Sequence, residues 1–134
     1  MAKEKIICDT DVLIDYFDKN KSRNASATAL LETAIELDNV IISSVTKMEL
    51  LFGATNKLDL NTINKKLSRF SIILINERIN LTAINLMQSF KLSHGLAIPD
   101  SLIAATAIET KLKLFTYNLK DFRFISDLTL YPEQ

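Results

Sequence analysis

The 134-residue sequence holds only two glycines, two prolines, one cysteine and one histidine. So few chain-breaking residues, beside a hydrophobic share of 48%, exclude a low-complexity chain and predict a compact, helix-rich globule with short connections. A single cysteine excludes an internal disulfide. Cys8 lies in the first apolar run and is expected to be a small buried hydrophobe, as suits a reducing compartment. One histidine, His94, and one cysteine argue against a zinc site built from nitrogen and sulfur ligands. Sixteen basic and sixteen acidic residues cancel, so no whole-molecule field draws the chain to nucleic acid or to an anionic membrane. Any polyanion has to be held by a local basic patch or through a metal. No apolar run approaches the ~20 residues that cross a bilayer, and no charged-then-apolar leader opens the chain. A soluble, cytoplasmic protein with no membrane partner is expected, folded as one domain over residues 1–134.

What is present is an alternation of strand and helix signals. Residues 5–8 (KIIC) read as a buried strand and 12–17 (VLIDYF) as a short helix. A longer helix is expected over 25–37, with Ala29, Leu30, Thr33, Ile35 and Leu37 partly on one face. A second strand follows at 39–43, then a helix over 44–54 closed by Gly53. The segment 60–70 is amphipathic, with Leu60, Ile63, Leu67 and Phe70 in line, and 71–75 is a third strand. Helices are expected over 80–93 and, opened by Pro99, over 99–111. A fourth strand at 112–117 and a short extended piece at 128–131 complete the chain. Alternating elements with bulk-apolar strands predict an α/β fold, its parallel sheet of about four to five strands covered by helices on both faces.

In such sheets ligands gather beyond the carboxyl ends of the strands, and four acids fall there. Asp9 closes the first strand, Glu49 lies one turn into the helix after the second, Asp100 opens the helix before the fourth, and Asp121 follows the fourth. Each has a structural explanation to overcome. Thr46-x-x-Glu49 spells a capping box, and an acid such as Asp100 in a first turn is favoured by the helix dipole. The neighbours argue otherwise. Asp100 shares its face with Ile103, Ala104 and Ala107, and Glu49 has Val45, Phe52 and Gly53 at the same spacings, so both faces are expected to turn inward. Neither acid has a Lys or Arg one turn away. Asp15, by contrast, lies one turn from Asp11, Asp18 and Lys19 on a face that looks solvated. Carboxylates converging without basic partners repel one another, and a hard divalent cation with oxygen ligands resolves the conflict.

With these residues in hand, the chain resembles the PIN-domain ribonucleases, most of all the VapC-type toxins of bacterial toxin–antitoxin pairs. The resemblance rests on CDTDVLIDYF (8–17), SSVTKMELLFGA (43–54), IPDSLIAATAI (98–108) and FTYNLKDF (115–122), in that order along nearly the whole chain. It implies a three-layer α/β sandwich and maps the family's core acids onto Asp9, Glu49 and Asp100. Its fourth acidic position falls in a window holding Asn118 and Asp121, of which Asp121 is the only carboxylate. Thr10 and Thr116 match supporting hydroxyl positions. Asp11 stands where the family commonly has Asn, and either adds charge or caps the helix. The implied chemistry is phosphodiester hydrolysis of RNA, such as tRNA or rRNA, with one or two Mg²⁺ ions for which Mn²⁺ substitutes. A cognate VapB-type antitoxin and a homodimer are implied as well. Local substrate binding is assigned to Lys19, Lys21 and Arg23 in KNKSR (19–23), with Lys57, Lys65, Lys66 and Arg69 as weaker candidates. Leu50, Leu51 and Phe52 beside Glu49 suit either core or an interface.

Two other readings compete. DTDVL also resembles the opening of haloacid-dehalogenase-type phosphatases, whose first Asp is a nucleophile. That family needs a later Gly-Asp motif, and no Gly-Asp occurs here. A catalytically inactive PIN scaffold that binds RNA or protein is expected to lack one of the acids, and every core position is filled.

Overall fold

A computed structural model describes residues 3–132. Five parallel strands form one sheet in the order β3-β2-β1-β4-β5: β1 Ile6–Cys8, β2 Val40–Ser43, β3 Ser71–Ile73, β4 Lys113–Phe115 and β5 Leu130–Tyr131. The helices are α1 Thr10–Phe17, α2 Asn24–Ala29, α3 Ser44–Phe52, α4 Lys57–Leu67, α5 Glu77–His94 and α6 Ile98–Thr110. β1 sits at the centre, with Ile6 opposite both Val40 and Lys113.

Alternation along the strands divides the interior into two cores. Ile7, Ile41 and Leu114 face one core, built with Ile79 and Ala83 of α5 and Ile103, Ala104 and Ala107 of α6. Ile6, Cys8, Val40, Ile42 and Phe115 face the other, against Val12 and Leu13 of α1, Leu31, Ile35 and Leu67. This is why the central strands are continuously apolar: successive side chains enter opposite cores, and neither face meets water. Cys8 is fully buried there, as expected.

Several boundaries differ from the sequence pattern, each for a local reason. The expected helix over 25–37 is α-helical only to Ala29, then widens into a π-helix over Leu30–Ile35 and ends where Glu36 takes φ 76°. The buried residues recur every fourth position, at Ala27, Leu31 and Ile35; of the expected face only Ile35 is buried, while Ala29, Leu30, Thr33 and Leu37 are not. The helix expected over 60–70 is α4, which starts earlier because the Asn56 side chain accepts from the Asp59 amide. It ends at Leu67, leaving Phe70 beyond it, and Leu60 is exposed rather than aligned with the buried side. Gly53 does cap α3, but at φ −75° it uses none of glycine's special freedom. Gly95 does, closing α5 at φ 69°. Pro99 lies in the first turn of α6, as its fixed φ favours.

Candidate active site

From β1 the chain moves to β2 on one side, while β4 pairs with β1 on the other. The crevice beyond the carboxyl ends of β1 and β4 is therefore the point where strand order reverses, the usual ligand position in open α/β sheets. Asp9 stands in it. Its backbone N–H donates to the Phe115 carbonyl at 2.9 Å. Its carboxylate is doubly engaged: Oδ1 accepts from the Thr10 amide at 2.8 Å, which caps α1, and Oδ2 accepts from the Thr116 hydroxyl at 2.8 Å. Thr116 Oγ1 in turn accepts from the Asn118 amide at 3.1 Å.

Only 5% of Asp9 is exposed, and among the described residues no basic side chain pairs with it. Burial pushes its carboxyl up to about 7, the Asp11 charge adds to the rise, the bonds from Thr116 and Thr10 oppose it, and Asp100 adds a further push. Burial wins. Asp11, in the first turn of α1, accepts from the Tyr117 amide at 3.0 Å through Oδ2, while Oδ1 is buried without a hydrogen-bond partner. Burial raises the Asp11 carboxyl too, against that amide bond.

Asp100 is half-buried in the first turn of α6, and Ile103, Ala104 and Ala107 on its face are buried as expected. Its carboxyl is pushed up to about 6, first by burial and then by the charges of Asp121, Glu49 and Asp11. Asp121 ends a 3₁₀ turn over Leu119–Asp121 and is half-buried. Asn118 is exposed and joins the network through its backbone amide. Of the two residues in that window, Asp121 is the one whose charge reaches Asp100. Asp9, Asp11, Glu49, Asp100 and Asp121 are thus drawn from four separate segments into one electrostatic neighbourhood. The ion pairs of the described residues, Lys3–Glu36, Arg69–Asp38, Arg78–Glu109 and Lys113–Glu4, all lie elsewhere.

Glu49 corrects one expectation. Its face does not turn inward: Val45 is buried, but Glu49 is exposed and Phe52 is 91% exposed. What holds Glu49 at the site is a hydroxyl, since Thr10 Oγ1 donates to Oε1 at 2.7 Å. The capping-box spelling is not realised either, because Ser43 caps α3 by accepting from the Val45 amide and Thr46 lies within the helix. The helical pairing of Asp15 with Lys19 also fails, since α1 ends at Phe17. Lys19, Lys21 and Arg23 are exposed, with the Arg23 guanidinium 4.5 Å above the Tyr117 ring.

The PIN domain model matches residues 6–127, which contain every acid of the site. The chain belongs to the PIN-domain family. It is 32% identical over 130 residues to ribonuclease VapC1 of Methanocaldococcus jannaschii, spanning 96% of this chain and 86% of that one. Among solved structures it is similar to a toxin–antitoxin complex from Klebsiella pneumoniae, at 30% identity and TM-score 0.74, covering 97% of this chain and 100% of that chain. It is also similar to VapBC2 from Rickettsia felis bound to a DNA fragment from their promoter, at 26% identity and TM-score 0.70, covering 93% and 96%. The sheet and its flanking helices are accordingly those of a PIN domain of the VapC type.

Within this PIN domain the donor set suits a hard cation. Every acidic ligand candidate presents oxygen, none has a basic partner, and the orphaned Asp11 Oδ1 adds an unanswered acceptor beside Asp9. Among the described residues no three acids already form a closed ligating group. The sequence reading missed Thr46 and the Tyr117 amide. Thr46 was detectable in principle, one turn before Glu49 on the same helix face. A backbone amide leaves no trace in the sequence.

Proposed function

We propose that the protein is an endoribonuclease dependent on one or two Mg²⁺ ions, for which Mn²⁺ substitutes, and that it acts in the cytoplasm as the toxin of a VapBC-type pair. The observation that carries this reading is the group of acids at the β1–β4 crevice: burial and neighbouring acids raise the carboxyls of Asp9, Asp11 and Asp100, and no Lys or Arg of the described residues pairs with them. The likeness to a VapC ribonuclease and to toxin–antitoxin complexes supports the same assignment, and with it a VapB-type antitoxin partner; a homodimer is part of the same proposal. Among the described residues, no helix is long and apolar enough to cross a membrane.

In this reading Asp9, Glu49, Asp100 and Asp121 would hold the metal. A divalent ion supplies Lewis-acid polarisation of the phosphoryl group and a water of lowered pKa. The remaining work belongs to the protein. The Thr10 amide and Thr116 hydroxyl fix both oxygens of Asp9, the Thr10 hydroxyl fixes Glu49, and the Tyr117 amide fixes Asp11 beside them. The purified protein, freed of antitoxin, should cleave RNA with Mg²⁺ or Mn²⁺ and stop on addition of EDTA. Cleavage that survives exhaustive chelation would sink the metal mechanism. A preference for small phosphomonoesters over RNA would favour the phosphatase reading, and RNA binding without cleavage the inactive scaffold.

The substrate backbone is assigned to the loop after α1. The Arg23 guanidinium lies over the ring of Tyr117, the residue whose backbone amide is bonded to Asp11. Lys19 and Lys66 line a groove of about 550 Å³ with Tyr16 and Phe17. Arg69 is engaged by Asp38 at 2.9 Å, which makes it the weaker candidate. Replacing Lys19, Lys21 and Arg23 with Ala should weaken RNA binding and flatten its salt dependence by about 0.7 log units per lost single-strand phosphate contact. Stability should change by less than ~0.5 kcal/mol. An unchanged salt slope would return these residues to a merely solvated loop.

A further inference from the structure

Thr46 is fully buried inside α3, one turn before Glu49, and its hydroxyl, like that of Thr82 in α5, which donates to Glu109, is engaged away from its own helix. Thr62, Thr106 and Thr110 each donate back to the carbonyl four residues earlier, the ordinary use of such a hydroxyl. Thr46 has no such bond. Its hydroxyl lies 3.1 Å from Thr10 Oγ1, the same atom that stands 2.7 Å from Glu49 Oε1. A hydroxyl carries one proton. The shorter contact, to a carboxylate, takes the Thr10 proton, so the bond between the two hydroxyls is donated by Thr46 and accepted by Thr10. The chain runs in one direction: Thr46 to Thr10 to Glu49.

We propose that Thr46 is a positioning residue for Glu49, acting through Thr10. Because the buried Thr46 hydroxyl has, among the described residues, only the Thr10 oxygen to donate to, it occupies an acceptor site on that oxygen and leaves the Thr10 proton turned to Glu49. Glu49 is exposed on a long side chain, and this single bond is what holds its carboxylate at the crevice. Thr10 is also tied by its amide to Asp9, so the relay sets the position of one acid relative to the other. The consequence is a Glu49 already placed when the divalent ion arrives, and the inference rests on the metal-dependent reading of this site.

The test is Mn²⁺ binding to the purified full chain by calorimetry, with thermal unfolding in EDTA alongside. Thr46→Val keeps the shape and removes the hydroxyl. It should weaken Mn²⁺ binding by about 10- to 100-fold, the usual consequence of losing a group that orients a metal ligand, while the midpoint in EDTA stays near that of wild type. Thr46→Ser should restore binding. Thr10→Val should weaken binding as well, and adding Thr46→Val to it should produce no further loss, since the effect of Thr46 passes through Thr10. Wild-type affinity in Thr46→Val, weak binding in Thr46→Ser, or additive losses in the double variant would each overturn the proposal. Should Thr46→Val fail to fold, Thr46→Ser and Thr46→Ala are compared in its place: equal affinities overturn the role, and a loss confined to Ala upholds it. If wild type binds no Mn²⁺ and cuts no RNA, the metal-dependent reading falls first and this inference with it.

Discussion

Replacing Asp100 with asparagine is expected to lower RNA cleavage by orders of magnitude while leaving the metal-free protein as stable as wild type, or more so. The two effects have opposite origins in the same charge. A buried acid with a satisfied ionic partner would lose about 3–5 kcal/mol of stability when its charge is removed, because the partner is stranded. Among the described residues Asp100 has no such partner. Burial raises its carboxyl to about 6, and Asp121, Glu49 and Asp11 push in the same direction. Asparagine keeps the shape and removes one member of a set of like charges, so repulsion in the ion-free crevice falls.

With metal present the balance reverses. In the proposed reading the same carboxylate would help hold the metal, and its loss would weaken metal binding and, with it, cleavage. Thermal unfolding of both proteins in EDTA and in Mn²⁺, beside RNA cleavage, reads both effects. Mn²⁺ should raise the wild-type midpoint more than the mutant's, since stabilisation follows affinity for the folded state. A mutant clearly less stable than wild type in EDTA that still cuts RNA would mean that Asp100 is a structural acid.

The strands and the four motif-bearing segments were legible because their signals are local. Bulk-apolar runs such as Ile6–Cys8 and Val40–Ser43 need no long-range information to read as strands buried on both faces. Asp9 and Asp100 were legible as acids with neighbours that must be buried. Glu49 was half legible. Its charge does reach Asp100, but Phe52 was counted as an inward residue, and an exposed aromatic has the same letter as a buried one. The π-helical turn over Leu30–Ile35 was not legible, because a helical pattern fixes which residues face inward only if the period is known. The contacts that define the crevice, Thr116 to Asp9 and the Tyr117 amide to Asp11, join residues more than a hundred positions apart. Topology brings them together, and no spacing rule within either segment could have paired them.

The same electrostatics should make metal-free stability fall as pH rises from about 5 to about 8, with Mn²⁺ abolishing the fall. The ordinary carboxyl value of 3.8 is raised to about 7 at Asp9 and about 6 at Asp100 in the fold. Between the unfolded and folded values, the folded state still holds protons that the unfolded chain has released. Raising the pH through that window therefore draws the equilibrium toward the unfolded state. Below about 4 both states are protonated and these two groups impose no penalty; above about 7 both are ionised and the penalty is complete. Mn²⁺ competes with the same protons, so the midpoint shift it produces should be small at pH 5 and large at pH 8. Melting curves at the two pH values, each in EDTA and in Mn²⁺, test this directly, and Asp100→Asn should show a shallower fall in EDTA. A midpoint in EDTA that climbs between pH 5 and pH 8 would show that Asp9 and Asp100 ionise freely in the folded protein, and that the acids of this crevice are not in conflict without their ion.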